Sequence, residues 1–181
     1  SCRASTRRQI DYGRRRGIPW GISESAYTVT DRAGTYQYQA FGVPGLGLKR
    51  GLDDDLVVAP YATALASLVD PGAAADNLVQ RSSRGAEGRF GFYESVDYAA
   101  RTVAKDETSV PARAGEPELV QAYFSHHQGM SLVALTNVVC DDVFVSRFHL
   151  DPRVQATELL LQERVPREAI LSEPRPARSA A

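Results

Sequence analysis

Two glutamates stand in settings that suit acid–base and nucleophilic chemistry. Glu24 lies in Trp20-Gly21-Ile22-Ser23-Glu24-Ser25, and Glu94 in Phe90-Gly91-Phe92-Tyr93-Glu94-Ser95. Aromatic neighbours desolvate a carboxylate and raise its pKa, as a general acid requires. The same rings match the apolar faces of sugars. Two carboxylates so placed serve glycosidic-bond chemistry: about 5–5.5 Å apart for retention, about 6.5–9.5 Å for inversion. Each glutamate also precedes a stretch that reads as helix, so capping a helix N-terminus is the competing role.

Other candidate motifs are weaker. The run Gly42-Val43-Pro44-Gly45-Leu46-Gly47-Leu48-Lys49-Arg50-Gly51 is glycine-rich, but Leu48 breaks the Gly-Lys-Ser/Thr ending of a phosphate loop, and the dinucleotide spacing fails as well. It reads as a tight surface loop whose Lys49 and Arg50 can reach an acidic or hydroxyl-rich ligand. His126 and His127, with Cys140, Asp141 and Asp142, invite a metal reading. Neighbouring residues on a helix point about 100° apart, so both histidines do not converge on one ion. With no HExxH and no CxxC, neither a metal nor a cofactor is expected. One histidine then lines a pocket and the other packs. Asp97 and Arg101, one turn apart, read as a structural ion pair, and Cys2 and Cys140 are not expected to pair.

The elements that must position these groups read as helices joined by long loops. Residues 1–17 form a polar, Arg-dense lead-in, and a charge run alone reads as a solvated segment rather than a nucleic-acid arm. Residues 18–55 read as loop with short extended pieces around Tyr36-Gln37-Tyr38-Gln39. Helices are expected over Tyr61–Val69, with Pro60 in the first turn, and over Ala73–Arg81, Pro117–Val139 and Pro152–Arg164, the last capped by Asp151. The third is apolar on both sides. Met130, Val133 and Leu135 are expected inside it, with His127 or Gln128 opening on a cleft, and Leu159, Leu160 and Leu161 near the buried face of the fourth. Helices apolar nearly all round need neighbours on both sides. The fold class expected is therefore all-α, as part of a larger helical array.

Composition sets the outer bounds. The 181 residues are 43% hydrophobic and 24% charged, which excludes a wholly disordered chain. Lys and Arg number 21 against 22 Asp and Glu, a balance that gives no global reason to expect nucleic acid or an anionic membrane. The most apolar stretch, Leu56–Val69, is shorter than the roughly 20 residues of a spanning helix and is broken by Pro60. The chain starts at Ser1 and its one methionine is Met130, so it reads as processed or as a piece of a longer protein.

Several long strings carry a resemblance. PWGISESAY (Pro19–Tyr27), YQYQAFGVPGLGLKRGL (Tyr36–Leu52), DLVVAPYAT (Asp55–Thr63), GRFGFYESVDY (Gly88–Tyr98), HHQGMSLVAL (His126–Leu135) and FHLDPRVQATELLLQERVPR (Phe148–Arg167) resemble, in colinear order, the glucoamylase-like region of bacterial cyclic β-1,2-glucan synthases. The segment before His126 and the insert over 106–115 match less closely. The resemblance implies the C-terminal part of an (α/α)6 toroid over residues 18–167, followed by a linker over 168–181. It also implies a very large parent chain with a membrane-embedded glucosyltransferase region and a phosphorylase-like region, and a place for this segment on the cytoplasmic side of an inner membrane. The implied activity is retaining intramolecular transglycosylation that cyclises linear β-1,2-glucan, with no cofactor, metal, nucleic acid or membrane contact. Glu24 is then the general acid/base and Glu94 the nucleophile, the order of the two staying open. Trp20, Tyr36, Tyr93, His127 and Gln128 hold the sugar rings. A hydrolytic endo-β-1,2-glucanase and a non-catalytic glucan-binding remnant are the alternatives, and the isolated chain is expected to be nearly inert.

Overall fold

In the computed structural model, which describes residues 2–47, 49–99 and 117–161, the Arg-rich start is a helix, α1 (Cys2–Arg16). All six of its arginines are exposed, while Tyr12 turns inward and joins the hydrophobic core. Strands β1 (Ser25–Thr30) and β2 (Tyr36–Gln39) follow, then β3 (Val57–Val58), α2 (Pro60–Ala66) and α3 (Pro71–Ser83). Next come β4 (Glu87–Gly88), β5 (Gly91–Phe92), β6 (Ser95–Asp97) and β7 (Glu118–Val120). Helices α4 (Ser125–Val139), α5 (Val143–His149) and α6 (Pro152–Leu161) complete the order.

The described residues thus form six helices and three small antiparallel sheets, and the all-α toroid expectation fails. The cause is local. Ser25–Thr30 and Tyr36–Gln39 are rich in β-branched and aromatic residues that suit a pleated surface. They pair with Ala26 opposite Tyr38 and Tyr27 opposite Gln37, and the register shifts before Thr30 meets Tyr36. A second sheet has the order β3-β6-β7, and β4 and β5 make a separate hairpin. Pairing also shortens the expected Pro117–Val139 helix: Leu119 lies opposite Val96 in the sheet, and the helix starts only at Ser125. Glu24 and Glu94 accordingly precede strands, not helices, so the capping role falls away.

The core gathers Tyr12, Ile22, Tyr27, Val29, Phe41, Val43, Val57 and Val58, with Tyr27 set edge-on to Phe41 at 5.7 Å. Helix α2 packs on α3 and α4. Helix α4 buries only one narrow line, His127, Ala134 and Asn137. The expected burial of Met130, Val133 and Leu135 is corrected: Met130 is half-buried, and Val133 and Leu135 are exposed. One neighbour covers one stripe of a helix, whatever the composition of its other faces.

The described residues up to 144 and those from 145 on form separate compact units. In the second, Asp151 accepts the Arg153 amide at 2.8 Å, as expected of a cap, and Pro152 opens α6. Leu160 and Leu161 of that helix are exposed, against expectation. Cys2 and Cys140 are free. The Arg101 ion pair, the 106–115 insert, the helix end at Arg164 and the 168–181 linker lie outside the described residues.

Candidate active site

The extended segment ahead of Glu24 is held by side chains from α1, α2 and α3. Gln9 of α1 reads Ile22 on both sides, donating to its carbonyl at 2.8 Å and accepting its amide at 2.9 Å. Asn77 does the same for Trp20, accepting its amide at 3.1 Å and donating to its carbonyl at 2.8 Å. Thr63 and Arg81 donate to that same carbonyl. Gly21 has φ +117°, and a Cβ there would stand 2.7 Å from Thr63 Oγ1, so conformation and space both demand glycine. The Tyr61 hydroxyl then bridges Ser23 Oγ at 2.7 Å and the Glu24 carbonyl at 3.0 Å. The backbone of Glu24 is fixed while its side chain stays exposed.

Glu94 is held the opposite way. It enters β6 with its amide donating to the Ala122 carbonyl at 2.9 Å, and it is only 2% exposed. Its carboxylate accepts the Ala26 amide of β1 at 3.2 Å. Nδ1 of His127 lies 2.9 Å from both of its oxygens. His127 comes from the buried line of α4, and its ring stacks on Tyr61 with centroids 3.7 Å apart. Its Nε2 is 3.3 Å from the hydroxyl of Tyr38 on β2.

Tyr38 joins the two carboxylates. Burial raises its pKa well above the ordinary phenol value, and the charge of Glu24, Tyr61 and Glu94 raises it further, with a side-chain hydrogen bond to Glu24. Tyr61 is raised as well, chiefly by burial, with both glutamates contributing and the Ser23 hydrogen bond opposing. Both carboxylates therefore act on the same two phenols. The site is one cluster: Glu24, Tyr38, Tyr61, His127 and Glu94.

Beside it opens a cavity of about 240 Å³ lined by Tyr61, Phe92, Tyr93, Glu94, His127 and Gln128. Gln128 donates to the Phe92 carbonyl at 3.0 Å. Tyr93 leans on Tyr123, ring centroids 5.4 Å apart, and Phe90 stands at the exposed tip of the β4–β5 hairpin. Gly88 lies beneath them; a Cβ there would meet Tyr123 and Tyr93 at 2.3 and 2.5 Å.

Of the residues singled out in the sequence, Glu24, Glu94, Tyr93, His127 and Gln128 come together. Trp20 does not: its buried indole lies with α1 and lines a different cavity with Ile18 and Asn77. Tyr36 is half-buried at the turn end of the hairpin, opposite Thr30. Lys49 and Arg50 are exposed in their loop. Two central residues escaped the sequence reading, Tyr38 and Tyr61. Alternation in Tyr36-Gln37-Tyr38-Gln39 puts Tyr36 and Tyr38 on one strand face, so the signal for Tyr38 was present. No local pattern marks Tyr61, whose role comes from the packing of α2 on α4.

Residues 2–152 match a family model described as "Putative glucoamylase". The chain is also 45% identical over 160 residues to a protein of Rhizobium meliloti (strain 1021), "Cyclic beta-(1,2)-glucan synthase NdvB". The aligned stretch is 88% of this chain and 5% of that protein, so the chain spans a small part of the relative it resembles.

Proposed function

The chain belongs to the putative glucoamylase family, and from that premise we propose that it carries the carboxylate pair of a region that cyclises linear β-1,2-glucan by retaining transglycosylation. Glu94 attacks the anomeric carbon while Glu24 protonates the departing glycosidic oxygen, leaving a glucosyl ester on Glu94. A hydroxyl at the other end of the same glucan then attacks that carbon. Glu24 takes its proton, and the ester bond breaks with the β-anomer restored. The observation that carries this reading is the contrast between the two glutamates. One is buried and held by an imidazole and an amide; the other is exposed, and both act on Tyr38. A held, acceptor-only carboxylate suits a nucleophile, and an exposed one suits proton exchange. Tyr93 and Gln128, on the wall of the cavity, contact the sugar by stacking and hydrogen bonding. The region works within a longer chain, beside glucosyltransferase and phosphorylase-like regions, on the cytoplasmic side of the membrane.

The exposure of Glu24 gives hydrolysis a specific footing, since water reaches the acid/base. Product mass separates the two outcomes. Linear β-1,2-glucan is incubated with the purified protein carrying this chain. Products lighter than a linear oligomer by one water mean cyclisation, and shorter linear products mean an endo-β-1,2-glucanase. Glu24→Gln and Glu94→Gln are each expected to lower kcat about 10²–10⁴-fold. Unchanged turnover in either would remove that residue from the mechanism.

A further inference from the structure

His127 is a buried titratable side chain of the cluster to which the chemistry above gives no step. It is 1% exposed, and both ring nitrogens already face protein groups, so it has no free edge for a sugar hydroxyl. We propose that His127 is a positioning residue held as the Nδ1-protonated tautomer, which donates from Nδ1 to the Glu94 carboxylate, accepts from the Tyr38 hydroxyl at Nε2, and so orients Glu94. This rests on the glycosidic reading of the site.

The argument is one of donors and acceptors. Nδ1 lies at 2.9 Å from both oxygens of Glu94. An N–H aimed between two oxygens is the arrangement of a donor to a carboxylate; a protonated carboxyl would aim one oxygen at the nitrogen. The Ala26 amide, also a donor, points at the same group. Two donors thus converge on one carboxylate. With the proton on Nδ1, Nε2 is left as an acceptor. Tyr38 must then donate its hydroxyl proton to Nε2 across 3.3 Å. The array runs one way: Tyr38 O–H to Nε2, and Nδ1–H to Glu94. The opposite tautomer would reverse both bonds. The groups facing His127 are Glu94 from the start of β6, Tyr38 from β2, Tyr61 from α2 and His126 from its own helix. Tyr61, stacked flat on the ring, fixes its plane but takes neither nitrogen.

Two measurements test this. The first is the ¹⁵N spectrum of ¹⁵N-histidine-labelled protein, with Tyr38→Phe used to assign His127 through loss of the Nε2 hydrogen bond. A protonated Nδ1 with an acceptor Nε2 is expected, and the Nε2-protonated tautomer would overturn the proposal. The second is kinetics on linear β-1,2-glucan. His127→Ala is expected to lower kcat about 10–100-fold, the range seen when a supporting partner of a reactive group is lost, with KM changed less than about threefold. His127→Asn, whose amide can replace the Nδ1–H donor, is expected to recover most of that loss. A raised KM at unchanged kcat would make His127 a sugar-holding residue and sink the idea. A wild-type protein inert toward the glucan would refute the functional reading, and the tautomer would still decide the direction of the array.

Discussion

The carbonyl of Trp20 accepts from three side chains, Thr63, Asn77 and Arg81, and those three do not contribute alike. Asn77 satisfies both backbone groups of Trp20 and also donates to Thr63 Oγ1 at 2.8 Å. Asn77→Ala strands several buried polar atoms and is expected to cost about 2 kcal/mol in urea unfolding. Arg81 is 1% exposed, and its Nε and Nη1 have no partner among the described residues. Burial lowers its pKa from 12.5 to about 9. Below that pH the native and unfolded chains both carry the charge, and the burial penalty is constant. Above it the native state releases a proton that the unfolded state keeps, so stability rises with pH in that window, by at most about 1.4 kcal/mol per unit. Arg81→Met removes the titrating group. Wild type is therefore expected to gain about 1 kcal/mol on this variant between pH 8 and pH 10. At pH 7 the variant should be no less stable than wild type by more than about 1 kcal/mol, because an uncompensated buried charge is gone. A parallel pH course for the two proteins would contradict the assignment.

At the scale of elements, the hairpin β1–β2 and strand β6 place the cluster. Asp97 ties them together. Its Oδ2 accepts both the amide and the hydroxyl of Thr28, at 3.1 and 2.7 Å, and its Oδ1 accepts the Ala99 amide. These bonds fix the β1 face that offers the Ala26 amide to Glu94. Asp97→Ala leaves three donors unpaired in a buried place and is expected to cost about 2–4 kcal/mol, read as a lowered urea midpoint at unchanged m-value. At the far end of the hairpin, the Asp31 carboxylate accepts the amides of Ala33 and Thr35, both at 2.9 Å, around Gly34 at φ +80°. Asp31→Ala loosens a partly exposed turn, at a cost of about 1 kcal/mol. Since that turn sets the register of Tyr38 against Ala26, kcat should fall with it while the core stays folded. The elements were half legible in the sequence. Pro60 and Pro152 mark two helix starts, because proline lacks the N–H that a first turn leaves idle; Pro71, which opens α3, reads in the sequence only as the end of the helix before it. The strands were not legible as a sheet. Val57-Val58, Ser95–Asp97 and Glu118–Val120 are each three residues or fewer, and only pairing over long sequence distances makes them strands. In the site, the two glutamates stood out by their local setting. Tyr38 and Tyr61 join them through tertiary packing that no window of sequence contains.

At the scale of the whole chain, the apolar faces of α4 raise the remaining question. The all-round apolar composition of that helix was legible, and the structure shows how little of it this chain covers. Leu132 is 67% exposed and Val139 80%, with Val133, Leu135 and Val138 exposed nearby. Scattered surface leucines are ordinary, but several on one short helix form a patch of the kind that drives association. At about 25 cal/mol per Å² of apolar surface, covering even a few hundred Å² is worth several kcal/mol. Association costs at least about 4 kcal/mol in lost freedom, so the isolated 181-residue chain is expected to bind a hydrophobic dye and to self-associate weakly, at high concentration. The double variant Leu132→Gln, Val139→Gln removes the two most exposed of these side chains and touches none of the groups that hold Glu94. It is expected to weaken dye fluorescence and shift the chain toward monomer in sedimentation. Because both positions are already largely exposed, the unfolding midpoint should move by no more than about 2–4 °C, the shift that roughly 1 kcal/mol produces in a chain of this size. A large loss of stability would mean that these residues are buried against something within the chain itself. An unchanged association state would mean that the patch does not drive contact.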